Sequence, residues 1–186
     1  MNAITASSLA IALVAIPLAF ATPANATNDG TIEIAGRITA TTCQVEGNPP
    51  GSGAATKKVD FGEVSAGHLA TEGQTAGDRS FQIHIGGNEE CVDGGMATIR
   101  FDPASPSLDR ATGRLNIDAV VDAAKNVQIQ IANEDGTPIN MYTEDAQGAT
   151  IVGNSAVIPL IARYYSLGKA EKGVANSRVG FQVVYQ

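Results

Sequence analysis

The 186-residue sequence has no tryptophan, two histidines and two cysteines, and aromatic residues make up 5% of it. So few sulfur and imidazole ligands leave no C-x-x-C or paired-histidine spacing for a metal or redox centre. With no Trp, five Phe (one of them Phe20 in the N-terminal apolar run) and four Tyr, aromatic platforms for a carbohydrate site are scarce, and most fall on alternating apolar faces. Positive charge is also scarce: twelve Lys and Arg stand against nineteen Asp and Glu, a formal charge of -7, with no basic run. Nothing is available to neutralise phosphates or dock on anionic lipid, which excludes nucleic acid and the membrane surface as partners. Internal repeats and long linkers are absent too, and 44% hydrophobic against 17% charged residues describes one globular domain.

From Met1 to Ala26 no side chain is charged. Within this stretch Leu9 to Ala21 is an apolar run broken only by Pro17, and the small-x-small triplet Ala24-Asn25-Ala26 follows. The run is shorter than the roughly 18 residues a helix needs to cross a bilayer, so it is read as a secretory signal cleaved after Ala26. The Lys or Arg usual at the start of such a signal is missing from Met1 to Ser8. Cleavage there leaves Thr27 to Gln186 as the mature chain, delivered to an oxidising compartment where Cys43 and Cys91 are expected to form a disulfide.

The mature chain has a period of two. Ile32, Ile34 and Ile38 share a face; Val59 and Phe61 begin a second segment; Phe81, Ile83 and Ile85, then Ala97, Ile99 and Phe101, then Val127, Ile129 and Ile131 each alternate with polar residues. In the last segment Val179, Phe181, Val183 and Tyr185 oppose Arg178, Gly180 and Gln182. Turn clusters such as Gly86-Gly87-Asn88, Asp93-Gly94-Gly95 and Asn133 to Gly136 separate the segments, the pattern of a β-sandwich or barrel. Only Asp118 to Asn126 has room for a helical turn.

No catalytic constellation emerges. His84 falls on the polar face of its strand and His68 lies in a Gly-rich loop. Gly47 to Lys58 has the glycines and lysines of a phosphate loop, but Ala54 follows Gly53 where a lysine is required and a strand follows where a helix is required, so it is read as a surface loop. The acidic pairs Glu89-Glu90, Glu134-Asp135 and Glu144-Asp145 sit in turns without calcium-loop spacing. The expectation is a non-enzyme with no cofactor, no metal and no small-molecule substrate.

Four blocks, in order, carry a resemblance. They are Asp29-Gly30-Thr31-Ile32-Glu33-Ile34 running on to Thr42-Cys43-Gln44-Val45; Phe81 to Ile85 leading to Cys91; Ala124 to Ile131 followed by Asp135-Gly136; and Ala162-Arg163-Tyr164-Tyr165, Gly173, Phe181 and the penultimate Tyr185. Over residues 27–186 the sequence resembles the pilus subunits of the chaperone-usher pathway, the fimbrial proteins of Gram-negative bacteria. That resemblance implies an all-β, incomplete immunoglobulin-like β-sandwich lacking its last strand and completed by a donor strand from a neighbouring subunit. It implies three parts: a signal peptide at 1–26, a donor-strand extension at 27–35 presenting Gly30, Ile32 and Ile34 on one face, and a pilin domain at 36–186. It makes Val179, Phe181, Val183 and Tyr185 a wall of the groove and the edge a periplasmic chaperone pairs with, with the Gln186 carboxylate as an anchor point. Gly173 is then a position needing either positive φ or close backbone approach.

The function so implied is a structural link in a surface fimbrium, polymerising by donor-strand exchange and supporting cell adhesion. Its partners would be identical or related subunits, the periplasmic chaperone and the outer-membrane usher. A minor adaptor or initiating subunit is the alternative; an adhesive tip subunit would need a receptor domain, for which the stretch from Thr27 to Gln186 leaves no room.

Overall fold

The computed structural model describes residues 43–186. The expected signal, the donor segment with Gly30, Ile32 and Ile34, and the segment through Ile38 lie outside the described residues.

Eight strands follow a short 3-10 turn at Ala66–Leu69: β1 Thr75–Gly86, β2 Met96–Phe101, β3 Leu108–Asp109, β4 Arg114–Asn116, β5 Lys125–Asn133, β6 Ala149–Thr150, β7 Ser155–Glu171 and β8 Phe181–Tyr185. They form two antiparallel sheets, one ordered β1-β7-β5-β4-β3 and the other β6-β2-β8. Between them lies one apolar core. Ile83, Ile129, Ile131, Ile158 and Leu160 enter from the larger sheet, and Ala97, Ile99 and Phe101 from the smaller. Alternation puts these residues on inward faces and leaves their neighbours to solvent, as the period of two requires.

The longest strand, β7, is the spine of the larger sheet, pairing with β1 through Ile83↔Ile158 and with β5 through Ile129↔Tyr164. Ala156, Ile158, Leu160, Ala162, Tyr164 and Ser166 all point inward along it. Pro159, which supplies no N–H to a ladder, lies one residue beyond the last β5 pair, Asn133↔Leu160, where β7 has become an edge on that side. On the outer face the sheet is polar yet covered: Gln128 is 3% exposed because its amide donates to Asp109 and Asn116 and accepts from Arg114.

Two local expectations change. Residues 118–126 form no helix: a turn closes from Ala123 N–H to Val120 O (3.2 Å), Ala123 bridges to Val174, and β5 begins at Lys125. The segment containing Val59 and Phe61 is extended but is not a strand of either sheet, because no neighbour among the described residues offers it a ladder.

Candidate functional site

Along one side of the sandwich the core is open. A groove of about 1170 Å³ runs over Ile83, Ile99, Phe101, Ile129, Ile131 and Leu160. Its first wall is the chain from Ala175 into β8. Exposure alternates without a break from Ala175 to Val183, with Ala175, Ser177, Val179, Phe181 and Val183 half-buried and the residues between them exposed. The apolar members pack against the core without being covered by it.

The backbone of this wall is satisfied on one side. Asp102 N–H donates to Gly180 O (2.9 Å), and Met96 and Gln186 exchange two hydrogen bonds of 2.9 Å, flanking the β2·β8 register Phe101↔Phe181 to Ala97↔Tyr185. In an antiparallel pair only alternate residues turn their N–H and C=O toward the partner strand. Gly180, Gln182, Val184 and Gln186 do so here. Phe181, Val183 and Tyr185 therefore turn theirs toward the groove, where the described residues supply no ladder.

The opposite wall is residues 55–61. Ala55, Lys57, Val59 and Phe61 point inward while Thr56, Lys58 and Asp60 are exposed. This stretch is held by side chains rather than by a sheet. Arg79 donates to Asp60 O (3.2 Å) and Phe61 O (2.9 Å), and Lys57 Nζ pairs with Glu46 at 3.2 Å. Glu46 also accepts from the His84 backbone N–H at 2.8 Å, which ties the wall to the end of β1. Burial pushes the Glu46 carboxyl up, but the His84 N–H and the Lys57 ammonium outweigh it and hold the group below the usual carboxylate range. One end of the groove closes where the Phe61 and Tyr164 rings stack 4.4 Å apart and Tyr164 Oη donates to Ala175 O at 3.0 Å. The other end lies toward Cys43 and Cys91, which are disulfide-bonded across a separation of 48 residues.

The expected C-terminal residues thus come together. Val179, Phe181, Val183 and Tyr185 all line the groove, and Gln186 ends the ladder beside it. The Tyr185 hydroxyl is buried with no hydrogen-bond partner among the described residues, and burial pushes its pKa up. Gly173 stands apart from the groove wall. It has no positive φ; of the two reasons a glycine could be needed there, the structure has close approach. A Cβ on Gly173 would overlap the Asp122 carbonyl oxygen and stand 2.5 Å from the Ala124 nitrogen, at the point where Val174 N–H donates to Asp122 O and Ala124 N–H to Val174 O.

The second wall is what the sequence reading missed. Residues 47–58 read as a surface loop, yet Ala55 and Lys57 extend the alternation of Val59 and Phe61 back by two steps. Neither histidine enters the groove lining: His84 is exposed, and His68 sits on the 3-10 turn.

Known proteins place this geometry. The family model described as "Fimbrial protein" matches residues 32–186. The chain is 35% identical to the major fimbrial subunit SMF-1 of Stenotrophomonas maltophilia (strain K279a), covering 93% of this chain and 99% of that one. It is 27% identical to the type-1 fimbrial protein C chain of Escherichia coli over 92% and 93% of the two chains. Among solved structures, a subunit of a chaperone-usher pilus superposes with a TM-score of 0.56 at 15% identity, covering 89% of this chain and all of that one. The P pilus rod subunit PapA gives the same TM-score at 14% identity over 78% of this chain. These two likenesses establish the shared fold, the incomplete immunoglobulin-like sandwich whose sheets do not close. With the family model spanning most of the chain and the SMF-1 likeness running along nearly its whole length, the chain belongs to the fimbrial protein family and is a structural subunit of a surface pilus.

Proposed function

We propose that the groove is filled by an extended strand from a second subunit, and that the donor is the segment at about residues 27–35. The observation that carries this is the pair of facing walls, both alternating and neither hydrogen-bonded to the other, over an apolar floor. Strand addition of this kind is a known mode of recognition, of which chaperone–pilin complexes are themselves an example. Main-chain bonds to Phe181, Val183 and Tyr185 supply affinity, and side chains entering the groove supply fit. The wall from Ala175 to Tyr185 spans roughly 33 Å at about 3.3 Å per residue, and a nine-residue donor spans about 26 Å, which fits within it. Burying one Ile is worth roughly 1.5–3 kcal/mol. An empty groove of this length therefore costs a large share of the roughly 5–15 kcal/mol that separates folded from unfolded in a typical domain.

Before a neighbour arrives, the same edge needs a temporary strand. That role falls to the periplasmic chaperone, with the usher exchanging it for the next subunit and the finished fibre supporting adhesion at the cell surface. Leader removal after Ala26 frees the donor, and the mature chain starts at Thr27.

The test is Ile32→Asp with Ile34→Asp. The doubly substituted chain should accumulate as a disulfide-bonded subunit while fibres vanish from electron micrographs. Fibres of normal length would overturn the donor assignment.

A further inference from the structure

Both groove walls carry outward-facing residues between their inward-facing ones, and the charges among these are not evenly spread. On the 55–61 wall they are Thr56, Lys58 and Asp60; on the other they are Asn176, Arg178, Gly180 and Gln182. Lys58 and Arg178 are the cations of these two sets in a chain of net charge -7. Lys58 makes no salt bridge among the described residues, and Arg178 is held at 3.1 Å by Asp118 through one nitrogen, with its side chain 82% exposed.

These two cations lie the same number of residues from one end of the groove. The Phe61–Tyr164 stack and the Tyr164 bond to Ala175 O bring Phe61 and Ala175 to the same end of the groove. The walls run in opposite directions from there, the first reaching back toward Val45 and its bridge to Ile85, the second forward to Gln186. Three steps back from Phe61 is Lys58 and three steps on from Ala175 is Arg178, so extended walls counted from that end carry one cation each at the same step.

We infer that the donor strand is held in register by a charge clamp, with Glu33 of the incoming subunit seated between Lys58 and Arg178. The inference rests on the donor-strand reading above. In an extended strand with Gly30, Ile32 and Ile34 directed into the groove, Glu33 points out, and side chains on one face of adjacent strands meet. A slip of two residues toward the Phe61 end would bring Glu33 beside Asp60, an unfavourable like-charge pair. A slip the other way leaves it beside Thr56 with no cation. With Glu33 level with Lys58 and the donor antiparallel to β8, Gly30 falls level with Phe181, one of the two aromatic side chains of that wall, where the absence of a side chain is what fits. The apolar groove thus holds the strand while the rim selects which pairing it takes, and a segment lacking an acid at this place is discriminated against.

Charge reversal and its rescue in the full-length chain test this, with fibre yield measured by immunoblot of sheared fibres and by electron microscopy. Glu33→Lys alone, and Lys58→Glu with Arg178→Glu, should each lower yield by at least about fivefold, the size expected when cross-strand attractions become repulsions. Combining all three substitutions should restore it. Lys58 and Arg178 are outward-facing and Glu33 belongs to the proposed donor rather than to the groove-bearing domain, so the disulfide-bonded subunit should persist in each variant, which separates failed assembly from failed folding. Wild-type yield from Glu33→Lys, or a triple variant no better than its parents, would overturn the clamp. If the Ile32 and Ile34 substitutions abolish fibres while charge reversal does not, only the clamp falls; if neither matters, the donor reading falls with it.

Discussion

Phe61 stacks on Tyr164 with ring centroids 4.4 Å apart and planes inclined by 30°, and the Tyr164 hydroxyl reaches the carbonyl of Ala175. One aromatic pair therefore joins the end of one groove wall, the spine strand β7 and the start of the other wall. Tyr164→Phe should cost about 1 kcal/mol, one hydrogen bond. Phe61→Ala should cost about 3–5 kcal/mol by leaving a cavity against Tyr164. Thermal unfolding of assembled subunits measures both, and a Phe61→Ala variant no less stable than Tyr164→Phe would show that the stack does not hold the wall.

Gly173 makes a prediction of a different kind, because its neighbours are backbone atoms that cannot swing away. Even Gly173→Ala should disturb the Val174 pairing with Asp122 and Ala124, and Gly173→Val should do so severely. Positive-φ tolerance offers no remedy, so Gly173→Asn should be no better than Gly173→Ala. Recovery of each variant as disulfide-bonded subunit from expressing cells measures this; Gly173→Asn at wild-type level against a depleted Gly173→Ala would point to conformation rather than contact.

The parts of this architecture that were legible in the sequence are those where polarity and position agree. Phe81 to Ile85, Ala97 to Phe101 and Val127 to Ile131 alternate cleanly and lie in β1, β2 and β5. The spine strand β7 was not legible as alternation. Its inward face includes Ala156, Ala162 and Ser166, its outward face includes Val157 and Leu167 at 39% and 43% exposure, and Pro159 argues against a central strand. The 55–61 wall hid for another reason. Its period of two is present, but Lys57 points inward, where the Glu46 carboxylate meets it, and a lysine there reads as loop. The first wall was legible because its terminal aromatic residues and spacing resemble a family, not because alternation identifies a groove.

Asp145 gives a pH dependence. The Arg100 guanidinium, bonded to it at 2.7 and 2.9 Å, holds its carboxyl below the usual carboxylate range. An acid whose folded pKa is depressed contributes stability above its unfolded value, about 3.9, and loses it as pH falls through the folded value. Arg100 is exposed and Asp145 partly so, and solvent screening keeps the contribution small. Asp145→Asn should remove it at neutral pH and flatten the acid limb of the unfolding midpoint below about pH 4. An unchanged acid limb would mean that the link between β2 and the loop bearing Asp145 does not depend on charge.

The Tyr185 hydroxyl is buried without a partner among the described residues, and burying such a group costs about 1–3 kcal/mol. Tyr185→Phe keeps the ring on the groove wall and removes the unsatisfied group, so the subunit that has not yet received a strand should become more stable by up to about 1 kcal/mol. The assembled state answers a further question. If an incoming strand supplies a hydrogen-bond acceptor, Tyr185→Phe should lose about 1 kcal/mol there, so the two states should shift in opposite senses. Tyr185→Ser removes the ring as well and should destabilise both, because the wall then ends at Val183. Unfolding midpoints of the isolated subunit and of purified fibres, compared for Phe and Ser, separate the hydroxyl from the ring. Equal stabilisation of both states by Tyr185→Phe would show that no acceptor reaches Tyr185 in the fibre and that the hydroxyl plays no part in strand recognition.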